Sequence, residues 1–341
     1  MNGAGPFMST LKLKKHADGF ILDYGHVRLA LDTGIKGETT LLTHGHTDHI
    51  RGVDMAHRIV ATKATIDTLR ARGHRVMSRI EPLEYNQRIG QLGVVVTALN
   101  AGHVLGSTMY LMEFDEGLSV LYTGDFNVVD SMVHKAAAPV LADVLITEAT
   151  YGSPEWVFPS RKSIYNDILT TTAEVMEKGR IPVFLAYSLG KAQEAIALLQ
   201  WGGFNVITGN HRIDEVCKVY NQHGSDLRHT SLTNRNAKNL LTDGCAIVSS
   251  SFHHTRRNIR TEMGSQEANR LMNNMEHYSL SGWTLGDSSK TGFPLSAHSD
   301  FKGLKMFAKK VKPRVVYCFT DNATHFSGHL ADEGLNAVPL E

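Results

Sequence analysis

The segment Thr43-His44-Gly45-His46-Thr47-Asp48-His49 places three imidazoles and a carboxylate directly behind the apolar run Thr39-Thr40-Leu41-Leu42. On an extended segment residues i and i+2 share a side, so His44 and His46 can offer both rings to one cation. Asp48 and His49, just beyond, can face a second. Imidazole and carboxylate are the donors that Zn²⁺ accepts while keeping a position open for water. The bland reading is a solvated histidine-rich loop. The density of donors behind a strand weighs against it.

Two more strand ends carry donors. His103 lies on the glycine-flanked loop Asn100-Ala101-Gly102-His103-Val104-Leu105-Gly106-Ser107, between the β-rich runs 94–97 and 109–112. Asp125 follows the short apolar strand of Leu121-Tyr122-Thr123-Gly124-Asp125-Phe126, where a glycine turn exposes a carboxylate whose two oxygens can bridge two metals. Alone, either would pass for an ordinary turn residue. Together with 44–49 they supply enough donors for a dinuclear zinc site, whose ions sit about 3.5–4 Å apart.

These loops need strands to hold them. At 341 residues the chain has room for two domains or one large α/β domain with an insertion. Residues 8–155 read as short strands in quick succession, with one helical segment near 63–72. After Tyr151-Gly152-Ser153-Pro154 the texture changes to alternating helices and strands, the pattern of a parallel sheet with crossover helices. Helices are expected over 161–178, 190–200 and 300–310, and strands over 182–187, 204–208 and 315–319. A polar break at Asp287-Ser288-Ser289-Lys290-Thr291-Gly292 returns the chain to its first pattern. The reading is an α/β core in two parts, 8–158 and 291–341, interrupted by an inserted α/β domain at 159–290. Met8 is a second candidate start beside Met1, which would make residues 1–7 an addition.

Composition narrows the class. Hydrophobic residues make up 42% and charged residues 20%, which excludes a disordered or fibrous chain. No apolar stretch approaches the roughly 18 residues of a membrane span, and residues 1–7 lack a signal-peptide core. A cytoplasmic protein with no membrane partner is expected. Cys217, Cys245 and Cys318 lie far apart without a C-x-x-C pair, so metal chemistry must rest on His and Asp. The net charge of +1 gives no global basic signal for nucleic acid. Contact would have to come from local runs such as Arg256-Arg257-Asn258-Ile259-Arg260 and Lys309-Lys310-Val311-Lys312, which read first as solvated faces.

At this point a family resemblance becomes specific. Asp32 in Leu31-Asp32-Thr33-Gly34, the 44–49 segment, His103 and Asp125 resemble motifs 1 to 4 of the metallo-β-lactamase superfamily. Glu148 in Ile146-Thr147-Glu148-Ala149-Thr150-Tyr151-Gly152 and His298 in Ser296-Ala297-His298-Ser299-Asp300 resemble motifs A and B of its β-CASP branch of nucleases. Tyr187-Ser188-Leu189-Gly190-Lys191-Ala192-Gln193-Glu194 is similar to the strand-to-helix turn of the β-CASP insertion. The likeness covers most of residues 20–341 and points toward the short prokaryotic ligase-associated exonucleases and archaeal mRNA 3′-end processing factor-like proteins.

The resemblance implies a metallo-β-lactamase αββα sandwich with an inserted α/β β-CASP domain, acting as a zinc-dependent nuclease on single-stranded nucleic acid. It assigns His44, His46, His103 and Asp125 to one zinc ion and Asp48, His49 and the bridging Asp125 to a second, joined by Asp321 or His325. Asp32 would orient an imidazole, and His298, paired with Glu148, would protonate the leaving oxygen. Ser188 and Lys191 are candidates to hold a flanking phosphate; simple capping and a solvated lysine are the alternative. A homodimer is the assembly entertained.

Two features depart from the family pattern. Many members carry a third β-CASP histidine after the last core strand, where this chain has Thr320-Asp321-Asn322-Ala323-Thr324-His325. Eukaryotic DNA-repair members usually lack that histidine, so the departure tilts toward DNA and a repair-type exonuclease, with RNA processing as the alternative. In place of a Ser-Gly-Met turn stands Val248-Ser249-Ser250-Ser251-Phe252-His253-His254, read as a strand whose adjacent histidines point apart and hold a rim or phosphate contact. Trp156, Trp201 and Trp283 read as core, and the other histidines as surface or satisfied core positions. The competing functions are a small-molecule hydrolase of the same superfamily and a non-catalytic nucleic-acid-binding subunit. Glu148, His298 and the long insertion argue against the first, and the complete 44–49 segment against the second.

Overall fold

The computed structural model describes residues 11–91, 93–286 and 291–340. Residues 1–7, Met8 and positions 287–290 of the polar break lie outside the described residues. Two compact units emerge: one comprises residues through Asp130, Lys135–Pro154 and His298 onward, the other Ser131–His134 and Glu155–Ala297.

The first unit opens with a six-stranded sheet in chain order, β1 (Lys12–His16), β2 (Gly19–Tyr24), β3 (Val27–Leu31), β4 (Thr39–Leu41), β5 (Arg58–Ala61) and β6 (Arg79–Pro82). Helix α1 (Lys63–Ala71) leaves β5 and is capped by Thr62, whose side chain accepts from Thr65 N. Next come β7 (Arg88–Gln91), β8 (Val94–Asn100), β9 (Thr108–Phe114), β10 (Ser119–Tyr122) and β11 (Val144–Glu148).

The second unit is a parallel sheet laced by helices. It contains α2 (Arg161–Glu177), β12 (Ile181–Leu185), α3 (Lys191–Trp201), β13 (Val206–Thr208), α4 (His211–Gln222), β14 (Thr230–Ser231), α5 (Ala237–Asp243), β15 (Ala246–Ser249), α6 (Phe252–Met263), α7 (Ser265–Asn273), β16 (Met275–Leu280) and β17 (Gly292–Phe293). The strands lie in the order β14-β13-β15-β12-β16-β17. Every residue of β13 and β15 is buried, as expected of parallel strands covered on both faces. Residues 155–158 and 291–297, grouped with the core by sequence, cluster with this unit, because β17 pairs with β16. His253 and His254 lie on α6 rather than on a strand, because the run from Phe252 buries Thr255 and Ile259 at helical spacing. Trp156 and Trp283 form a half-buried edge-to-face pair at 4.7 Å, and Trp201 is exposed, so none of the three is a fully buried core residue.

The closing segment, α8 (Phe301–Val311), β18 (Val315–Phe319), α9 (Ala323–Asp332) and β19 (Ala337–Pro339), completes the first unit's seven-stranded sheet, β19-β18-β11-β10-β9-β8-β7. Alternation does the sorting within the sheets. Phe20, Leu22, Leu29 and Leu31 face Val96, Tyr110, Met112, Val120 and Ile146 across a shared core. Ile59 and Ala61 turn the other way, onto Ile66 and Leu69 of α1. Beyond the second sheet, α8 buries Phe301, Leu304, Phe307, Ala308 and Val311, an apolar stripe whose Phe307 ring meets Phe126 at 4.4 Å. The layers are helix, sheet, sheet, helix. No helix among the described residues is long and apolar enough to cross a membrane.

Candidate metal centre

Strand ends deliver the donors. Asp32 follows β3, His44 and His46 follow β4, His103 follows β8, Asp125 follows β10, and Glu148 ends β11. Two turns require glycine. Gly124 has φ +52°, and a Cβ there would lie 2.6 Å from the Thr43 side chain; Gly102 has φ +68°, with backbone oxygens 2.7 Å from where a Cβ would be. The first approach sets the Asp125 loop against Thr43, and the second sets the His103 loop against Asn127 and Lys135, beyond Asp125.

The result is a compact donor cluster. His44 Nε2 lies 3.0 Å from His46 Nδ1, which lies 3.1 Å from His103 Nε2. Asp125 Oδ2 stands 3.5 Å from His44 Nε2 and 3.6 Å from His103 Nε2. Four donors around zinc at 2.0–2.2 Å would be separated by roughly 3.3–3.5 Å, so this set fits one ion. The tautomer of His44 agrees. Thr43 Oγ1 donates to Asp32 Oδ2 at 2.6 Å, so at 3.0 Å it accepts from His44 Nδ1–H, leaving the Nε2 lone pair free. Burial, reinforced by His49 and His103, holds His44 well below its usual range and therefore neutral, the form a metal needs.

A second set adjoins the first through Asp125. His49 Nε2 is 3.3 Å from Asp125 Oδ2 and 3.8 Å from Asp48 Oδ2, whose side chain is 74% exposed. Behind His49 sits Asp32, fully buried at φ +50°. Its carboxylate accepts from Thr43 N at 2.7 Å, Thr43 Oγ1 at 2.6 Å and Tyr122 OH at 2.8 Å, and His49 Nδ1 is 2.8 Å from Oδ2. Burial opposes charge on His49, yet Asp125 and Asp32 outweigh it and raise the ring well above its usual range. Burial likewise opposes charge on Asp125, but His49 and His298 hold its carboxyl well below the usual carboxylate range.

Glu148 and His298 form a pair at the edge of the cluster. His298 Nδ1 lies 3.0 and 2.9 Å from the two oxygens of the fully buried Glu148. That carboxylate also accepts from Phe126 N at 2.8 Å and Thr150 Oγ1 at 2.5 Å. His298 Nε2 points toward Asp125 Oδ2 at 3.9 Å, and Asp125, Glu148 and His298 constitute a second constellation able to hold a metal. Ser299 fastens the loop: its N–H donates to Phe126 O at 2.9 Å, and its Oγ accepts from Val128 N at 3.1 Å.

Other expected residues lie elsewhere. Asp321 and His325 are exposed and belong to neither donor group among the described residues. The loop after β18 is tied to residues 149–150 instead: Thr320 Oγ1, at a residue with φ +78°, accepts from Ala149 N, and Asn322 Nδ2 donates to Thr150 O. Lys191 is not a solvated lysine. It is buried on the first turn of α3, 4.4 Å above the Tyr187 ring, and burial against the opposing pull of Glu194 pushes it down to about 8. Ser188 is half-buried, its carbonyl accepting from Gln193 Nε2 at 3.0 Å. Thr43, Tyr122 and Thr150 support the centre although sequence reading assigned them no role. Thr43 could have been found, since it directly precedes His44; Tyr122 and Thr150 have no local signal beyond strand-end position.

A family profile described as a Beta-lactamase superfamily domain matches residues 26–183. Over 318 residues the chain is 28% identical to a probable DNA ligase of Opitutus terrae, covering 90% of this chain and 29% of that protein. It is 27% identical over 205 residues to an RNase J-like protein of Methanocaldococcus jannaschii, covering 50% of this chain and 48% of that one. The chain thus spans less than half the length of both curated relatives. A crystal structure of a protein of unknown function from Enterococcus faecalis V583 superposes with a TM-score of 0.62 at 11% identity, covering 95% of this chain and 94% of the other, and shows a shared fold.

Proposed function

The chain carries a metallo-β-lactamase domain and has homologues in its β-CASP branch, and from that premise we propose a zinc-dependent nuclease that hydrolyses phosphodiester bonds of single-stranded nucleic acid. The observation that carries the reading is the meeting, at the one carboxylate Asp125, of a four-donor cluster and a histidine–glutamate pair. Zinc bound by these donors supplies Lewis-acid charge against phosphate oxygens and acidifies water toward a pKa of about 7.

The chain's own groups divide the remaining work. His44, His46, His103 and Asp125 would hold one ion, and His49, Asp48 and Asp125 the other. Asp32 accepts from His49 Nδ1 and keeps Nε2 directed at the centre. Breaking the P–O bond leaves an alkoxide that needs a proton. His298 delivers it from Nε2, because Nδ1 is engaged by Glu148, which also stabilises the imidazolium. DNA is the favoured substrate and a repair-type exonuclease the favoured activity; the longer alignment is to the DNA ligase relative, and His325, beyond β18, belongs to neither donor group among the described residues. RNA is the second reading, favoured by the RNase J-like relative.

Incubation of zinc-loaded protein with end-labelled single-stranded DNA and RNA of identical sequence tests this. DNA is expected to shorten progressively, RNA more slowly, and neither in the presence of chelator. Zinc-replete protein that cleaves neither polymer overturns the proposal.

A further inference from the structure

The chain's two basic runs differ in their neutralisation. In the run at 309–312, Lys309 pairs with Glu333, which Lys305 also contacts, while Lys310 and Lys312 pair with no carboxylate among the described residues. On α6 nothing comparable occurs. His253, Arg256, Arg257, Arg260 and Thr261 fall at i, i+3, i+4, i+7 and i+8, and together line an open groove along one side of the helix. These are the positions where an amphipathic helix ordinarily carries its apolar stripe, yet a different face, with Thr255 and Ile259, seats α6 on its own unit. Among the described residues no carboxylate pairs with Arg256, Arg257 or Arg260; Arg260 Nη2 donates to the neutral Asn269 Oδ1 at 3.3 Å. Arg256 Nε is buried from solvent and has no hydrogen-bond partner. A buried guanidinium N–H is costly to leave unmatched.

We infer that this face of α6 grips the phosphate backbone of single-stranded nucleic acid, an inference that rests on the nuclease reading above. Guanidinium forks match phosphate oxygens in bidentate fashion. From 253 to 261 the stripe extends about 12 Å at 1.5 Å per residue, long enough to meet more than one phosphate of an extended strand. The stripe contains arginines, a histidine and a threonine but no Phe, Tyr or Trp, so its grip is electrostatic and independent of base sequence. In a chain of net charge +1 such a concentration is local, and it serves to hold the polymer rather than to set bulk solubility.

Fluorescence anisotropy of zinc-loaded protein with a labelled phosphorothioate thymidine 12-mer, across a salt series, tests the assignment. Arg257 and Arg260 are both exposed, and the double variant Arg257→Gln/Arg260→Gln should melt like wild type. Its salt slope should be shallower by about 1.4, at about 0.7 per lost single-strand phosphate contact, with binding at low salt weakened roughly tenfold. Hydrolysis of bis-p-nitrophenyl phosphate should be unchanged, because that substrate is too small to reach along a helix. A variant with the wild-type slope overturns the inference and leaves the nuclease reading standing. Wild-type protein that carries zinc but cleaves no polymer overturns both. Inorganic phosphate or a dinucleotide competing as well as the 12-mer would mark a single-anion pocket. Binding of phosphatidylglycerol vesicles, lost in the same variant, with no binding of the 12-mer would mark a lipid surface. Either result overturns the backbone assignment.

Discussion

His49 and His298 face the same oxygen, Asp125 Oδ2, at 3.3 and 3.9 Å, and each has Nδ1 on a buried carboxylate, Asp32 at 2.8 Å and Glu148 at 2.9 Å. The two pairs differ in their access to water. His49 is 7% exposed, and its carboxylate partner takes three further hydrogen bonds from Thr43 and Tyr122. His298 is 20% exposed, in a loop fastened by Ser299. A sealed imidazole fixed by a carboxylate is suited to aim a lone pair at a cation that displaces its proton. The same pair with an open edge can exchange a proton with solvent and pass it on. On the proposed mechanism one device serves as a ligand or as an acid according to exposure.

Removing the oxygen that both imidazoles face should have the largest effect. Asp125→Ala is expected to lose zinc and lower cleavage by about 10³-fold or more, read by elemental analysis alongside single-turnover rates. A variant that keeps both metals and more than about a tenth of the rate would show that Asp125 does not bridge.

Next, the two imidazoles should part company. His49→Ala should release zinc, whereas His298→Ala should retain it and slow turnover by about 10²-fold. That deficit should shrink on a nitrophenyl phosphodiester, whose phenolate leaves without a proton. Glu148→Gln should act in the same direction and combine with His298→Ala far less than additively. Zinc loss in both histidine variants would erase the distinction and make His298 a ligand, as its constellation with Asp125 and Glu148 allows.

A milder change tests the sealed pair alone. Asp32→Asn keeps the shape but removes the charge behind His49, and zinc affinity should fall about 10–100-fold while fully loaded enzyme turns over near the normal rate. Competition with a coloured chelator reads it; unchanged affinity would reduce Asp32 to a folding role.

The smallest effect concerns an imidazole with no carboxylate at all. His134, in the second unit, has Nε2 2.9 Å from Tyr220 OH, and burial with the added repulsion of Arg161 pushes it down to about 3. Between about pH 3 and 6.5 the unfolded chain therefore binds the extra proton, so this group removes stability as pH falls through that window. His134→Gln should make the loss of melting temperature between pH 7 and 4.5 a few degrees smaller than in wild type. An equal loss would mean that the ring is charged when folded and that a carboxylate is not what decides charge here.

Legibility followed sequence distance. His44, His46, Asp48 and His49 share one loop, so their spacing alone announced a metal centre. His103 and Asp125 needed only the observation that each follows a strand through a glycine turn. Glu148 and His298 are separated by 150 positions, and local sequence says little about either; family likeness pointed to them. The loop beyond β18 could not be resolved in this way. Both Asp321 and His325 had donor chemistry, but the turn is set by Thr320 and Asn322 bonding to residues 149–150, a contact that no local pattern encodes. Lys191 shows a related limit: of its two readings, phosphate contact or solvated lysine, the burial against Tyr187 removes the second, and no local pattern encodes that packing.

The residue pattern by itself determined the strand ends, the donor types and the α/β class, because periodicity, turn glycines and ligand chemistry are local properties. Tertiary structure alone decided which imidazole is sealed and which is open, where Tyr122 and Thr150 donate, and which basic side chains meet a carboxylate. The reason is that exposure, hydrogen-bond partnership and charge compensation belong to pairs of segments brought together by the fold, and no segment carries them in its own sequence.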